Sequence, residues 1–148
     1  MVIRVASIVS KALGKVNTYV ATDNQKIFET VKSYGYNVIF TSSDCMTGTD
    51  RIYEFSKKVD ADIYINVQGD EPLIDYKNIL KVIECKKKYF HHVVNAMTYI
   101  NKNEDPTNIN IPKVVVDKNN NLIYMSRLPI PGNKDVFSND KKRFLKQV

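Results

Sequence analysis

The stretch DIYINVQGDEPLI, residues 62 to 74, decides how this chain is read. Ile63, Tyr64, Ile65 and Val67 form a short apolar run able to cross a buried sheet, and it stops abruptly at Gln68-Gly69-Asp70-Glu71-Pro72. Such a run bounded by turn residues predicts a strand over 62–67. The turn itself is open to two readings. One is a plain turn of the Gly-Asp-x-Pro kind; the other is a carboxylate set at a strand mouth to share Mg²⁺ with substrate phosphates. Pro72 biases Glu71 toward extended backbone, so Asp70 and Glu71 are expected to point apart rather than chelate one ion together.

Outward from that strand, helix and strand signals alternate. A helix near 1–13 is expected to stop at Gly14. A strand follows at 16–22, and Thr22-x-x-Gln25 reads as a capping-box start for a helix to about Tyr34, closed by Gly35. A strand at 36–42 precedes a helix from about Thr47 to Lys58. After the 62–67 strand come a helix at about 75–89, with Ile79, Leu80, Val82 and Ile83 on its apolar side, and a strand at 92–99. PKVVVD and NLIYMS flank an Asn-rich turn and predict a hairpin. Strand-helix alternation with short links means βαβ units and a mainly parallel sheet. Ligands in open sheets of this kind sit at the carboxyl ends of strands, where 41–51 and 68–72 fall.

The chain has 148 residues and 43% hydrophobic content, which predicts one α/β domain over 1–148 with a single core. No apolar run is long enough to span a membrane as a helix. The opening MVIRVASIVSKALGK lacks the apolar core of a signal peptide and reads as a domain helix. Cys45 and Cys85 are the two cysteines and form no CxxC pair, which fits reduced thiols and a cytoplasmic location. The formal charge is +6, from 22 Lys+Arg against 16 Asp+Glu. Much of the excess lies in Lys86-Lys87-Lys88 and in Lys141-Lys142-Arg143 with Lys146. These suit solvated helix ends or an anionic small substrate. Without interleaved aromatic residues they do not suggest nucleic acid.

Two further clusters carry possible chemistry. In Thr47-Gly48-Thr49-Asp50-Arg51, helix capping accounts for Thr47 and Asp50. It does not account for Arg51, a cation at the positive end of a helix dipole, nor for Gly48, whose bare backbone lets a flat or phosphorylated ligand approach. Cap alone and cap with ligand both remain open. In MSRLPIPGN, residues 125–133, two prolines predict a stiff extended segment, and Arg127 could clamp a carboxylate or simply pair at the surface. His91 and His92, as strand neighbours, are expected to face opposite sides and not to share a metal.

Taken together, TSSDCMTGTDRIYEF (41–55), INVQGDEPLI (65–74) and NLIYMSRLPIP (121–131) resemble the CMP-KDO synthetases, the 3-deoxy-manno-octulosonate cytidylyltransferases. That family typically carries TSxDHxSGTDR, VNVQGDEPLI and LYFSRxPIP. YVATDNQKIFETVKSYGYNV and IPKVVVDKNNN add weaker matches. The resemblance implies a Rossmann-like three-layer sandwich of the nucleotide-diphosphosugar transferase type, with a mostly parallel sheet. It implies Mg²⁺-dependent transfer of CMP from CTP to KDO, an acidic keto-sugar, with release of pyrophosphate, serving lipopolysaccharide or capsule synthesis. By motif, Asp70 would be a Mg²⁺ ligand and catalytic, and Gln68 a catalytic sugar contact. Thr47, Gly48, Thr49 and Arg51 would lie around the cytosine and ribose. Arg127 is placed near the sugar. A homodimer, or association with a completing chain, is the expected assembly.

The chain also departs from the family pattern. Family members begin with a strand and a basic phosphate-cradling loop, whereas Met1 lies almost at the helix that follows that loop. A later family segment bearing a second metal carboxylate has no counterpart before KKRFLKQV. An incomplete sheet with exposed strand edges is therefore expected, and such edges invite association. Cys45-Met46-Thr47 replaces His-x-Ser, and Gly132 stands where an aromatic is common. The alternatives kept open are an inactive or partner-dependent fragment of such an enzyme and a related nucleotide-sugar transferase.

Overall fold

A computed structural model of the chain describes residues 1–101, 103–130, 132 and 144–148. These fall into two compact units, Met1–His92 and Val93–Val148.

The first unit opens with α1 (Val2–Leu13), whose apolar residues recur at helical spacing and bury Val5 and Ala6. Gly14 ends it at φ 78°, a conformation that costs a glycine nothing, and its N–H reaches the Ser10 carbonyl at 2.9 Å. A short 3₁₀ turn, Lys15–Asn17, takes the first part of the predicted strand, so β1 is only Tyr19–Thr22. Helix α2 (Gln25–Ser33) follows. Its N-cap is Asn24, whose side chain accepts from the N–H of Lys26 and Ile27. The expected cap, Thr22, instead takes the N–H of Asn24 at 3.1 Å. Asparagine caps as well as any residue, and its position two places closer to the helix wins.

Strand β2 (Asn37–Phe40) pairs in parallel with β1, Tyr19 opposite Asn37 through Thr22 opposite Phe40. Helix α3 (Gly48–Ser56) packs on β1, burying Phe55, and α4 (Tyr76–Lys88) packs on α1, burying Ile79. Leu80, expected on the apolar side of α4, is exposed. Lys86, Lys87 and Lys88 occupy the last turn of α4, as the helix-end reading predicted. His91 and His92 lie in the turn that follows rather than on a strand, each edge-on to a different aromatic ring, Phe90 and Tyr89.

The largest correction falls on the segment that opened the reading. Residues 62–67 form no strand. Ile63, Ile65 and Val67 are half-buried while Tyr64 and Asn66 are exposed, which is the period-2 pattern of a strand. Yet no backbone group from Ile63 to Val67 makes a hydrogen bond among the described residues. A strand is defined by its ladder, and β1, with one edge paired to β2, offers this segment no ladder. A cavity of about 1010 Å³ opens between α1, β1, the first turns of α3 and the 62–69 segment.

The second unit is a four-stranded antiparallel sheet in the order β3-β6-β4-β5. Its strands are β3 (Met97–Tyr99), β4 (Lys113–Val116), β5 (Leu122–Ser126) and β6 (Leu145–Gln147). The predicted hairpin is β4–β5. Asp117 seeds its turn by accepting from the N–H groups of Asn119 and Asn121, and Asn120 takes φ 64°. The expected strand 92–99 shrinks to three residues, and β6 was not foreseen. Ile100, Val114 and Phe144 form the small core. Beneath it Lys113 is fully buried, its ammonium donating to the carbonyls of Asn108 and Arg127 at 2.9 and 2.6 Å. Burial holds this lysine's pKa below the usual value.

The architecture is thus α/β, but the mainly parallel sheet expected from strand-helix alternation is met only by the β1–β2 pair. Alternation cannot distinguish a parallel crossover from antiparallel pairing, and the second unit took the latter course, with β4–β5 as a hairpin and β6 returning between β3 and β4. Among the described residues, no helix is long and apolar enough to cross a membrane.

Candidate functional site

The site lies in the first unit, where β1 and β2 end and α3 begins. Thr47 is the N-cap of α3, and with Asp50 it makes a complete capping box. The Thr47 hydroxyl accepts from the Asp50 N–H at 3.2 Å, while the Asp50 carboxylate accepts from the Thr47 N–H at 2.8 Å. Capping therefore occupies both residues, as one of the two sequence readings proposed. Thr49 is exposed in the first turn. The loop leading into α3 is also tied by Glu54, which accepts from the Ser42 N–H and the Lys58 ammonium, each at 2.8 Å. These bonds, Lys58 first, hold the Glu54 carboxyl down at about 2. Partial burial and the neighbouring Glu54 push the Cys45 thiol up, away from thiolate character.

Arg51, which capping could not explain, is held by three acceptors from two loops. Its Nη2 donates to Asp23 Oδ2 at 2.9 Å, and its Nη1 donates to the buried Thr41 hydroxyl and, at 3.4 Å, to the Ser42 carbonyl. Asp23 closes β1 and Thr41 closes β2, so one guanidinium joins the carboxyl ends of both strands to the start of α3. The Arg51 hydrogen bond, more than its charge, holds the Asp23 carboxyl below its ordinary range.

Gly48 and Gln68 bring the two sequence clusters together. A Cβ built on Gly48 would stand 3.1 Å from Gln68 Nε2, closer than side chains ordinarily pack. The Gln68 amide therefore rests close against the first turn of α3, and any side chain at this position would have to push it aside. Gln68 also accepts the Glu71 N–H at 3.2 Å through its carbonyl, closing the turn that carries Gly69 and Asp70. Asp70 is exposed, and its carboxylate has no hydrogen bond or ion pair among the described residues. No group of three or more His, Cys, Asp or Glu able to hold a metal occurs among them. A lone uncommitted carboxylate fits a cation of the Mg²⁺ kind, which keeps most of its shell from water and phosphate.

Arg127 lies in the second unit. There its Nη1 donates to the Ile109 and Asn110 carbonyls at 3.3 and 3.2 Å. Of the stiff segment predicted at 125–133, Pro131 and Asn133 lie outside the described residues, as do Lys141, Lys142 and Arg143 of the second basic cluster. Sequence reasoning missed Asp23, Thr41 and Glu54. Glu54 was findable from its i,i+4 spacing to Lys58. Asp23 and Thr41 carry no local signal that pairs them with Arg51.

Comparison with known proteins places these features in a family. Residues 2–148 match the cytidylyltransferase family model. The chain is 38% identical to the 3-deoxy-manno-octulosonate cytidylyltransferase of Chlorobium limicola, over 83% of this chain and 51% of that protein. It is 45% identical to the enzyme of the same name from Francisella tularensis, over 76% of this chain and 46% of that protein. A solved structure of CMP:2-keto-3-deoxy-manno-octonic acid synthetase complexed with CTP superposes with a TM-score of 0.85 at 32% identity. That match covers 99% of this chain and 60% of the other. The chain spans about half the length of the curated relatives it matches.

Proposed function

The chain belongs to the cytidylyltransferase family, and from that premise we propose that its site takes part in moving CMP from CTP to KDO, releasing pyrophosphate. The contact of Gln68 with Gly48 carries this reading, because it sets the turn that bears Asp70 beside a helix N-terminus. The relatives named for this reaction, and the CTP-bound neighbour, give it its substrates. The α/β elements are read as part of a Rossmann-like three-layer sheet of the nucleotide-diphosphosugar transferase type. A cytoplasmic location and a dimeric assembly belong to the same reading.

In this reaction an oxygen nucleophile must approach a phosphorus shielded by anionic oxygens, so the protein's task is alignment and charge compensation. Asp70 would hold Mg²⁺, which supplies charge neutralisation at the phosphates when bound. Gln68 presents an amide that can both donate to and accept from sugar hydroxyls. Gly48 and Thr49 offer backbone N–H groups at the start of α3, which Thr47 and Asp50 hold in helical form. Arg51 offers fixed donors to the nucleoside. Arg127 is proposed as a contact for the sugar carboxylate, although its carbonyl bonds already occupy part of its guanidinium.

The test is calorimetric titration of CTP into this chain with and without Mg²⁺, repeated for Asp70→Asn. Metal-dependent binding that the variant loses, at unchanged stability, is the expected result; equal affinity of variant and wild type in Mg²⁺ sinks the Asp70 assignment. A second reading rests on the cavity beside the 62–69 segment, whose neighbouring backbone has no ladder. There the site becomes competent only after a further β-segment joins β1. A folded chain that binds no Mg²⁺-CTP alone but gains binding with a copurifying partner would favour it.

A further inference from the structure

We propose that Asp23 is a positioning residue that converts Arg51 from a free cation into a directed hydrogen-bond donor for an uncharged acceptor on the nucleoside. The proposal rests on the nucleotide reading above and adds a residue and a substrate feature to it.

Arg51 stands in the first turn of α3, where the helix dipole disfavours a cation. Its place is secured by Asp23 at 2.9 Å, the Thr41 hydroxyl and the Ser42 carbonyl. Thr41 is 2% exposed, so this acceptor cannot swing away to solvent. A guanidinium has five N–H donors in a fixed plane. Three of the five meet these partners, and the Nε hydrogen and one Nη2 hydrogen have none among the described residues. Arg51 lines the cavity together with Gly48, Gln68 and Gly69. A guanidinium fastened on one side therefore keeps two donors for whatever enters there.

The charge of Asp23 narrows what that ligand group can be. An arginine already paired with a carboxylate has spent much of its attraction for a second anion, but its remaining N–H groups keep their direction. A phosphate would be served better by an unpaired cation. A base carbonyl or a ribose hydroxyl is served best by donors held in place without net charge. The same pairing, with Asp50 also in the first turn, answers why the cation is tolerated at a helix N-terminus.

The test uses the whole chain, with cytidine and Mg²⁺-CTP as probes. Asp23→Ala is expected to weaken both by the same factor, about tenfold, the worth of one charge-assisted contact losing its alignment. Asp23→Asn, which keeps an acceptor for Nη2, is expected to recover part of the loss. In the wild type, nitrogen-15 NMR should resolve the Arg51 Nη hydrogens, identified by their absence in Arg51→Lys, and in Asp23→Ala they should average together. Tighter Mg²⁺-CTP binding in Asp23→Ala, with cytidine unchanged, would overturn the proposal by showing that Asp23 merely repels phosphate. Unchanged Arg51 signals in Asp23→Ala would overturn it regardless of ligand. If the wild type binds neither probe, alone or with a copurifying partner, the nucleotide reading fails, and with it the ligand half of the proposal. The NMR comparison then still decides whether Asp23 fixes Arg51, separating the two failures.

Discussion

Strand β1 and the segment 62–68 have similar sequences and different fates. Both end in a polar turn, and both line the same cavity, β1 up to Thr22 and the other segment through Gln68 and Gly69. Burial alternates along 62–68, whereas along β1 it deepens steadily toward Thr22. Strand β1 has a ladder to β2, continued by the Thr41 N–H to the Thr22 carbonyl at 2.9 Å. The other segment has none. Alternation thus reports which side chains meet the core, whereas a ladder reports a neighbour, and the first does not guarantee the second. The difference extends to the site. On the laddered side Asp50, Glu54, Asp23 and Arg51 are committed, through the capping box, the Glu54 ties and the Asp23–Arg51 pair. On the other side Asp70 is free. A fixed half and an uncommitted half suit the proposed site, which would hold a base rigidly while exchanging metal and phosphates.

Phe55 is the place to break the comparison, because both regions lean on it. Its ring lies 5.3 Å from that of Tyr19 on β1 and 6.2 Å from that of Tyr64 in the unladdered segment. Phe55→Ala should cost about 3–5 kcal/mol, as aromatic truncations in cores do, and should unfold both regions in one transition read by denaturant titration. A loss below about 1 kcal/mol would mean that they are supported independently. Hydrogen exchange sharpens the same contrast in the intact chain. Amides of Ile63 to Val67 should exchange at least about tenfold faster than that of Thr41, which the Thr22 carbonyl protects. Equal protection would mean that the segment finds a ladder in solution.

The sequence made legible what depends on local chemistry. Gly14 and Gly35 close their helices at positive φ, the Asn-rich turn builds its hairpin, and Thr47 with Asp50 caps α3 as read. The site was legible in part, since Gly48 and Gln68 do meet across twenty residues of chain. What escaped depends on distant partners. The 62–67 run looked like the best strand because apolar alternation is all that sequence can display of one. Asp23 and Thr41 were missed because an ion pair across |i−j| of 28 and a hydrogen bond across 10 leave no spacing to read. Strand β6 was hidden by Lys146, whose long stem lets it sit half-buried in the sheet beside Leu145.

Two smaller effects probe how firmly the laddered side is fixed. Thr47→Ala removes the acceptor for the Asp50 N–H and should cost about 1 kcal/mol, the usual worth of an N-cap, seen as a lower denaturation midpoint. Thr47→Ser should restore it. Glu54 gives the smallest effect and a distinct pH signature. Its carboxyl is held at about 2 in the folded chain against an ordinary 4.5, so the folded state favours its ionised form. Unfolding therefore takes up a proton wherever the pH lies between those values, and stability must fall as pH falls through that window. Above 4.5 the contribution is complete; below about 2 it is gone. Because the Glu54–Lys58 pair lies at the surface with both side chains partly exposed, screening keeps the effect small. Denaturation midpoints of wild type and Glu54→Gln should differ most above 4.5 and converge toward 2. A constant difference across the window would mean that the ties to Ser42 and Lys58 do not depend on the charge of Glu54.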